Sequence, residues 1–278
     1  MMTDTRDRAR PDAKPNAGAE PLGAHIWYEL MTTDPEGAKA FYERVVGWTI
    51  SESVPEYSGY RMIGRADGGH AGGLLPLSDE MQRNGARPTW LGYLYVPDVD
   101  RALEAIQGAR GKALMPAMDI PNVGRIAMVS DPDGNPFYIM KPIPPEGQED
   151  GQSDVFSPTA EQRVSWNELT TSDPSVARRF YGDIFGWTSD EFMPMGENGE
   201  YRFFAREGTT IGAVCAPMPG APTGWRYYIR VPSIPKAVED VRAGGGEVLM
   251  GPHEVPGGDH IIIGRDPQGA EFALVGKA

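Results

Sequence analysis

The fold is decided by residues 27–50, WYELMTTDPEGAKAFYERVVGWTI, which recur at residues 166–189 as WNELTTSDPSVARRFYGDIFGWTS. Aligned without a gap at an offset of 139 residues, the two segments agree at 12 of 24 positions. Agreement of this kind over an uninterrupted stretch indicates an internal duplication. The chain of 278 residues is therefore predicted to contain two homologous domains of ordinary size.

Each copy begins with a strand and continues into a helix. Asp34 is placed to accept hydrogen bonds from the first backbone N–H groups of that helix, and Pro35 suits its first turn. Gly47 follows the last helical residue, where glycine is common. Between them, apolar residues recur at the spacing of one helix face: Ala38, Phe41, Tyr42 and Val45.

Short strands follow this helix, and the same order of elements then repeats within each half. Predicted strands of the first half lie around residues 48–52, 59–65, 71–75, 90–96, 112–118, 125–130 and 136–140, with a second helix at 99–107. The tight-turn sequence DPDG at 131–134 recurs as DPQG at 266–269. The offset between these copies is 135 residues, compared with 139 for the first motif. The second half has therefore lost a net four residues, and the polar connector at 78–87 is the predicted place.

The boundaries follow from composition. Polar, aperiodic segments are predicted to be a disordered tail and a linker. The chain therefore divides into 1–21 (tail), 22–142 (first domain), 143–161 (linker) and 162–278 (second domain).

The charge of the chain bears on its partners. A net charge of −13 and the absence of a basic stripe argue against a nucleic-acid partner. The single cysteine fits the cytoplasm, and apolar runs are too short for a membrane span. The expected partner is a small molecule, in a monomer with paired domains or in a homodimer.

These repeated motifs resemble the vicinal oxygen chelate superfamily, which includes glyoxalases, bleomycin resistance proteins and extradiol dioxygenases. The doubled W-x-E-L-x-T…FY…GW form looks most like the two-domain "hydroxylase-like" or 27 kDa antigen type. The resemblance implies an α+β fold of tandem glyoxalase-like domains, each built from two paired βαβββ modules. Their strands would form a cupped sheet with the helices outside and a ligand inside.

The resemblance also implies positions for metal ligands, and this chain departs from them. The residues at those positions are Trp27 and Trp166, Leu91 and Arg226, and Tyr138 and Ala273. Divalent metals in proteins are held by carboxylate, imidazole or thiolate groups, which none of the six provides. The usual metal site is predicted to be absent, and no cofactor is implied.

Strand alternation predicts which side chains line the cups. In the first strand these are His25, Trp27, Glu29 and Met31. Glu29 and its copy Glu168 are the candidate catalytic residues, because a carboxylate in an apolar strand is costly unless it is paired or protonated. The candidate ligand-binding residues are Trp27, Tyr93, Tyr95, Tyr138, Trp166, Arg226, Tyr228 and Arg230.

Each candidate has a structural alternative. Glu29 is a general base, a ligand anchor, or a structural hydrogen-bond partner that closes the cup or joins the domains. Arg226 and Arg230 either bind an anion or pair with Glu168 or at the surface. A non-standard metal site of His25, His70 and Glu29 is a further hypothesis. Three functions stay open: a glyoxalase-like lyase or isomerase, a binding protein of the bleomycin-resistance kind, and a metal-dependent dioxygenase, which the missing ligands disfavour.

Overall fold

The computed structural model describes residues 20–54, 57–144, 151–218 and 220–278. The predicted disordered tail therefore lies outside the described residues except for its last two positions, as do residues 145–150 of the linker. In the part of the chain that is described, no helix is long and apolar enough to cross a membrane.

The first domain is an eight-stranded sheet with three helices. Its strands run in the order β2-β3-β4-β1-β5-β8-β7-β6. Their bounds are β1 His25–Thr32, β2 Thr49–Ile50, β3 Arg61–Gly64, β4 His70–Pro76, β5 Thr89–Tyr95, β6 Lys112–Ile120, β7 Gly124–Ser130 and β8 Pro136–Pro142. The helices are α1 Pro35–Val46, α2 Asp79–Arg83 and α3 Val99–Gly108.

The second domain repeats this order as β10-β11-β12-β9-β13-β16-β15-β14. Its strands are β9 Val164–Thr170, β10 Phe192–Pro194, β11 Glu200–Arg206, β12 Thr209–Cys215, β13 Gly224–Ser233, β14 Glu247–Glu254, β15 His260–Arg265 and β16 Glu271–Lys277. The helices are α4 Pro174–Phe185 and α5 Ile234–Ala243. The prediction of an α+β fold with two matching domains is confirmed.

Helix α1 begins and ends as its sequence predicts. The Asp34 side chain accepts a hydrogen bond from the Gly37 N–H at 3.0 Å. Gly47 follows the helix with φ 79°, a left-handed conformation that glycine adopts without steric cost. In the second domain Asp173 and Gly186 take the same places around α4. The repeated motif thus serves first of all to define this helix.

The two domains differ most in the connector between their modules. In the first domain, residues 77–88 join β4 to β5, and they contain the short helix α2, which the sequence analysis did not predict. In the second domain the corresponding connector is residues 216–223, four residues shorter. The loss therefore falls where it was predicted.

The domains pack against each other through α1, α3, α4 and α5, which lie between the two sheets. Helix α1 contacts α5, and α3 contacts α4, so each contact joins one domain to the other. Two large apolar cores result, and both contain side chains of both domains. Because the helices occupy the shared interior, the opposite face of each sheet points away from the partner domain.

Repeated polar contacts cross this interface. The Trp90 indole N–H donates to the Tyr42 hydroxyl at 3.0 Å, and that hydroxyl donates to Asp266 at 3.1 Å. The second domain makes the equivalent hydrogen bonds in the opposite direction. The Trp225 indole N–H donates to the Tyr181 hydroxyl, and that hydroxyl donates to Asp131 of the first domain. The aspartates are those of the DPDG and DPQG turns, so the turn motifs and the FY motifs meet across the domain boundary.

The described part of the linker is packed as well. Val155 is buried in a core that both domains share. Ser153 donates to the Ile26 carbonyl at 2.9 Å, and Asp154 forms an ion pair with Arg65 at 2.6 Å. This segment therefore holds the domains together in addition to connecting them.

Candidate functional site

We call the face of the first sheet opposite α1 and α3 the first cup, and its equivalent in the second sheet the second cup. Glu29 lies in the middle of the first cup, paired with Gly73 of β4 and Leu91 of β5, and its side chain is buried. The Tyr93 hydroxyl donates to Glu29 Oε2 at 2.8 Å. Glu29 Oε1 is buried and accepts no hydrogen bond from the described residues. One carboxylate oxygen is thus held by Tyr93, and the other has no hydrogen-bond partner among the described residues.

This environment shifts the acidity of Glu29 toward neutrality. Burial raises its pKa from 4.5 to about 7, and the hydroxyls of Tyr93 and Tyr60 oppose part of that rise. A carboxyl group with a pKa near neutral pH gains and loses a proton readily under physiological conditions, as a general base requires.

Aromatic side chains surround this carboxyl group. The Trp27 indole N–H donates to the Tyr60 hydroxyl at 2.8 Å. The rings of Tyr93 and Tyr138 are stacked, with centroids 4.3 Å apart and planes inclined by 15°. A Cβ atom at position 73 would lie 1.9 Å from the Tyr60 hydroxyl oxygen, so only glycine leaves room for this ring. Glycine at position 73 is therefore a local requirement of the site.

Sequence reasoning missed Tyr60, although a signal for it exists. The dipeptide Tyr60-Arg61 recurs as Tyr201-Arg202, at an offset of 141 instead of 139. The strand register bears out this equivalence, because Arg61 pairs with Leu74 of β4 and Arg202 pairs with Val214 of β12. A comparison that allowed a two-residue gap after the repeated helix would have found both tyrosines.

The rest of the first cup is apolar and rich in methionine. Leu91 and the ring of Tyr93 are buried in one apolar cluster with Tyr138, and Tyr95 packs at its edge. Five methionines belong to the cluster or pack against it: Met31, Met81, Met115, Met128 and Met140. The structure thus brings together every residue that the sequence placed in this cup except His25.

His25 lies on the other side of the strand, and the prediction that it faces the cup is wrong. The β1–β5 register shifts between His25 and Trp27, and this bulge turns His25 toward the domain interface. There its ring stacks on Tyr28 and Trp187, and burial lowers its pKa to about 3. His70 is exposed at the start of β4. The hypothetical metal site of His25, His70 and Glu29 is therefore not formed.

In the second cup, Glu168 takes the place of Glu29 but has different hydrogen-bond partners. Tyr201 donates to Glu168 Oε2 at 2.8 Å and accepts the indole N–H of Trp166, also at 2.8 Å. Glu168 Oε1 accepts from Arg226 at 3.0 Å and from Tyr228 at 3.2 Å. Both oxygens of Glu168 therefore have partners, and a cation neutralises its charge.

The two arginines of the second cup are both paired with acidic groups. Besides Glu168, Arg226 approaches Glu271 at 3.7 Å. Arg230 lies at the edge of the cup, where it donates to Ser165 at 3.1 Å and to Asp259 at 2.8 Å. Arg226 and Arg230 thus make the ion pairs expected of a structural role, in which each arginine pairs with a neighbouring carboxylate.

The donors in the cups do not fit a divalent metal. Trp27, Leu91 and Tyr138 stand at the implied ligand positions of the first cup, and none supplies a carboxylate, an imidazole or a thiolate. Across the described ranges, no three His, Cys, Asp or Glu side chains are grouped so that they could hold a metal ion. Among the described residues that line the first cup, Glu29 is thus the single carboxylate, and its neighbours are aromatic and apolar.

Two curated proteins are similar to this chain in sequence over nearly its whole length. CFP32 of Mycobacterium tuberculosis, provisionally named a glyoxylase, is 29% identical over 258 residues, covering 92% of this chain and 95% of the relative. The anthracycline biosynthesis protein DauV of Streptomyces sp. strain C5 is 26% identical over 271 residues, covering 91% of this chain and 93% of the relative.

The fold is also that of a solved enzyme. The Mn(II)-bound glyoxalase of Novosphingobium aromaticivorans superposes with a TM-score of 0.63 at 14% identity, over 93% of this chain and 83% of that one. A family model, Glyoxalase/Bleomycin resistance protein/Dioxygenase superfamily, matches residues 25–139 and 163–274. The match covers both sheets and most of the chain. The protein is therefore a two-domain member of the Glyoxalase/Bleomycin resistance protein/Dioxygenase superfamily.

Proposed function

We propose that the first cup binds a small carbonyl compound and transfers a proton on it without a metal, as a lyase or an isomerase. The observation that carries the proposal is the state of Glu29: its side chain is buried, its pKa is about 7, and its Oε1 accepts no hydrogen bond from the described residues. Enzymes raise carboxyl pKa values in this way to obtain a general base that works at neutral pH.

The proposed chemistry uses groups already in place. Ionised Glu29 takes a proton from the carbon beside a substrate carbonyl, and the C–H electron pair moves into the new C=C bond of an enolate. Once Glu29 is protonated, the Tyr60 hydroxyl, whose oxygen accepts from Trp27, turns its hydrogen from Glu29 to the enolate oxygen. An isomerase then returns the proton from Glu29 to another carbon, whereas a lyase expels a leaving group from the neighbouring carbon.

The second cup is not part of this chemistry in our proposal. Glu168 is held at both oxygens, and the guanidinium of Arg226 balances its charge. A carboxylate in such a pair is a poor base, because taking up a proton would break the pairing. We assign the second cup a structural role, which leaves one active cup in each chain.

The names of two relatives support the proposal of a carbonyl ligand. CFP32 carries the name of a glyoxylase, and DauV is named for anthracycline biosynthesis. The aromatic and methionine side chains of the first cup are suited to an apolar carbonyl compound, since methionine adapts its shape and packs well against rings.

A second candidate function is ligand sequestration without turnover. The stacked Tyr93 and Tyr138 and the neighbouring Trp27 form an aromatic wall that favours binding by itself. In this case Glu29 anchors a ligand hydroxyl and transfers no proton.

Deuterium exchange separates these functions. Purified protein is incubated in D₂O with methylglyoxal and its thiol adducts, and exchange at the carbon beside the carbonyl is followed by NMR. We expect exchange with the wild type, a loss of about 100-fold in Glu29→Gln, and retention in Glu168→Gln, with folding of each variant checked by circular dichroism.

Three outcomes would contradict the proposal. Undiminished exchange in Glu29→Gln would remove the general base. Tight binding without exchange would favour sequestration. Stoichiometric Fe, Mn, Ni or Zn in active protein, with activity lost on chelation, would show that a metal takes part.

A further inference from the structure

We propose that residues 77–87 form a lid over the first cup that opens to admit a flat, uncharged aromatic carbonyl compound and closes on it through Met81. This inference rests on the proposed function only for the identity of the cup, because it concerns how the cup is entered and what it selects.

The position of the connector makes it a cover for the cup. It joins β4 to β5, the two strands that flank β1, and so it crosses the carboxyl end of β1. Its first residue is fixed there, because the Leu77 N–H donates to the Thr32 carbonyl at 2.8 Å. Leu77 is buried in the apolar cluster of the cup, and Met81 and Ala86 pack against it. The segment therefore closes the end of the cup beside Met31.

The bonds within the segment leave it free to move as a unit. Beyond Leu77, its hydrogen bonds are internal: the Ser78 side chain caps the Met81 N–H at 3.2 Å, Gln82 donates to the Leu77 carbonyl at 3.2 Å, and Arg87 donates to the Ala86 carbonyl at 2.8 Å. No ion pair joins its charged residues to the rest of the described chain. Opening would break apolar contacts alone, a property of segments that open at low free-energy cost.

The second domain supplies an internal comparison. Its connector, residues 216–223, is four residues shorter and contains no helix in its described part. Its described residues do not belong to the apolar cluster of the second cup, which consists of Tyr228, Ile263, Ala273 and Val275 with Trp166 and Ile261 beside it. The lid thus belongs to the cup whose carboxylate, that of Glu29, has no arginine partner among the described residues.

The lining of the first cup indicates the ligand class. Trp27, Tyr93 and Tyr138 bring three aromatic rings to the cup, and five methionines supply adaptable contacts to a flat apolar molecule. The ligand is expected to be uncharged, because the groups that contact Glu29 are tyrosines and, unlike Glu168, it has no arginine partner to offset an anion.

The test exchanges the connectors within the chain. In the chimera, residues 77–88 are replaced by the sequence of residues 216–223, APMPGAPT. The probe is 1,8-dihydroxyanthraquinone at pH 6.5, and its charged control is anthraquinone-2-sulfonate. Binding and release are followed by stopped-flow fluorescence, and Trp27→Phe assigns the quenching to the first cup.

We expect the wild type to bind the uncharged probe and to discriminate against the sulfonate by at least about tenfold. The chimera should bind and release the probe about tenfold faster, because no lid has to open or hold it. Met81→Glu, which disrupts the apolar contact of the lid without shortening the chain, should act in the same direction, and Met81→Leu should retain wild-type rates. Met218→Ala, in the other connector, is the matched control.

Equal rates in the wild type, the chimera and Met81→Glu would overturn the lid, and equal affinity for both probes would overturn the ligand class. Should the chimera not fold, Met81→Glu and Met81→Leu decide the question. These outcomes are distinct from those of the proposed function, because Glu29→Gln abolishes exchange without altering the dependence of the binding rates on the lid.

Discussion

Tyr42 of the first domain donates its hydroxyl hydrogen to Asp266 of the second, 3.1 Å away across the domain boundary. Tyr181 does the same for Asp131 in the opposite direction, at 3.4 Å. The tyrosines come from the FY motif and the aspartates from the DPDG and DPQG turns. The FY motifs and the DPDG and DPQG turns therefore hold the two domains together, whereas Trp27 and Glu29 at the start of the same repeated stretch lie in the first cup.

Removing the Tyr42 hydroxyl should destabilise the protein. In Tyr42→Phe, the buried N–H of Trp90 and the carboxylate of Asp266 both lose a partner, which costs about 1–3 kcal/mol for each unsatisfied group. The free energy of unfolding in urea measures the change. The longer contact of Tyr181 predicts a smaller loss for Tyr181→Phe. Exposed Tyr57 provides the control, and an equal loss in Tyr57→Phe would contradict this account.

The stability of the protein should fall as pH rises toward neutrality because of Glu29. Its pKa is raised in the folded state from 4.5 to about 7, so the folded state binds this proton more tightly than the unfolded state does. The resulting stabilisation is fully present below about pH 4.5 and is lost as pH rises through 7, by an amount on the order of 3 kcal/mol. Urea unfolding at a series of pH values measures it.

Glu29→Gln isolates this contribution, since it removes the titrating group and keeps the shape of the side chain. Burial also raises the pKa values of Asp131 and Asp266, but they contribute equally to both proteins. The difference in unfolding free energy between the wild type and Glu29→Gln should therefore change between pH 4.5 and 7. A constant difference across that range would show that Glu29 titrates normally.

Tyr60 should set the pH at which Glu29 becomes a base. Its hydroxyl lowers the pKa of Glu29, so Tyr60→Phe should raise that pKa and move the rise of activity to higher pH. Tyr93→Phe should act in the same direction and more strongly, because Tyr93 has the larger effect on Glu29. Carbon-13 NMR of the glutamate carboxyl groups measures the midpoint without requiring turnover. A downward shift in either variant would exclude this role.

Arg226 and Glu168 should be energetically coupled. Arg226→Leu, which gives the second cup the residue of the first, leaves the partly buried Glu168 without its cation, and the expected cost is about 1–3 kcal/mol. Adding Glu168→Gln should recover part of this loss, because the uncompensated charge is then gone. Urea unfolding of the two single variants and the double variant completes the cycle. Additive effects would mean that the pair contributes no coupling.

Much of the architecture could be predicted from sequence because local and repeated signals agree. Asp34-Pro35 and Gly47 bound a helix in any context, and the copy around Asp173 repeats the same signal. The four-residue loss between the modules also follows from arithmetic on the two offsets. The alternation of Trp27, Glu29 and Met31 in β1 correctly places them on one face.

The remainder depends on contacts that sequence spacing does not encode. His25 faces the domain interface instead of the predicted cup, because a bulge interrupts the strand alternation between His25 and Trp27. Tyr60 was missed because insertions around β3 shift its copy out of the ungapped alignment. The different states of Glu29 and Glu168 arise from the residue opposite each of them in the adjoining strand, Leu91 in one domain and Arg226 in the other.

The outward orientation of the two cups bears on how such a protein can evolve. Along β1, Tyr28 points into the interface and hydrogen bonds to Asn167, whereas Glu29 points away from it. Substitutions on the outer face of one sheet therefore leave the joint between the duplicated halves intact. One copy can acquire a new reaction while the other keeps the pair folded, a division of labour that a shared, inward-facing site would not permit.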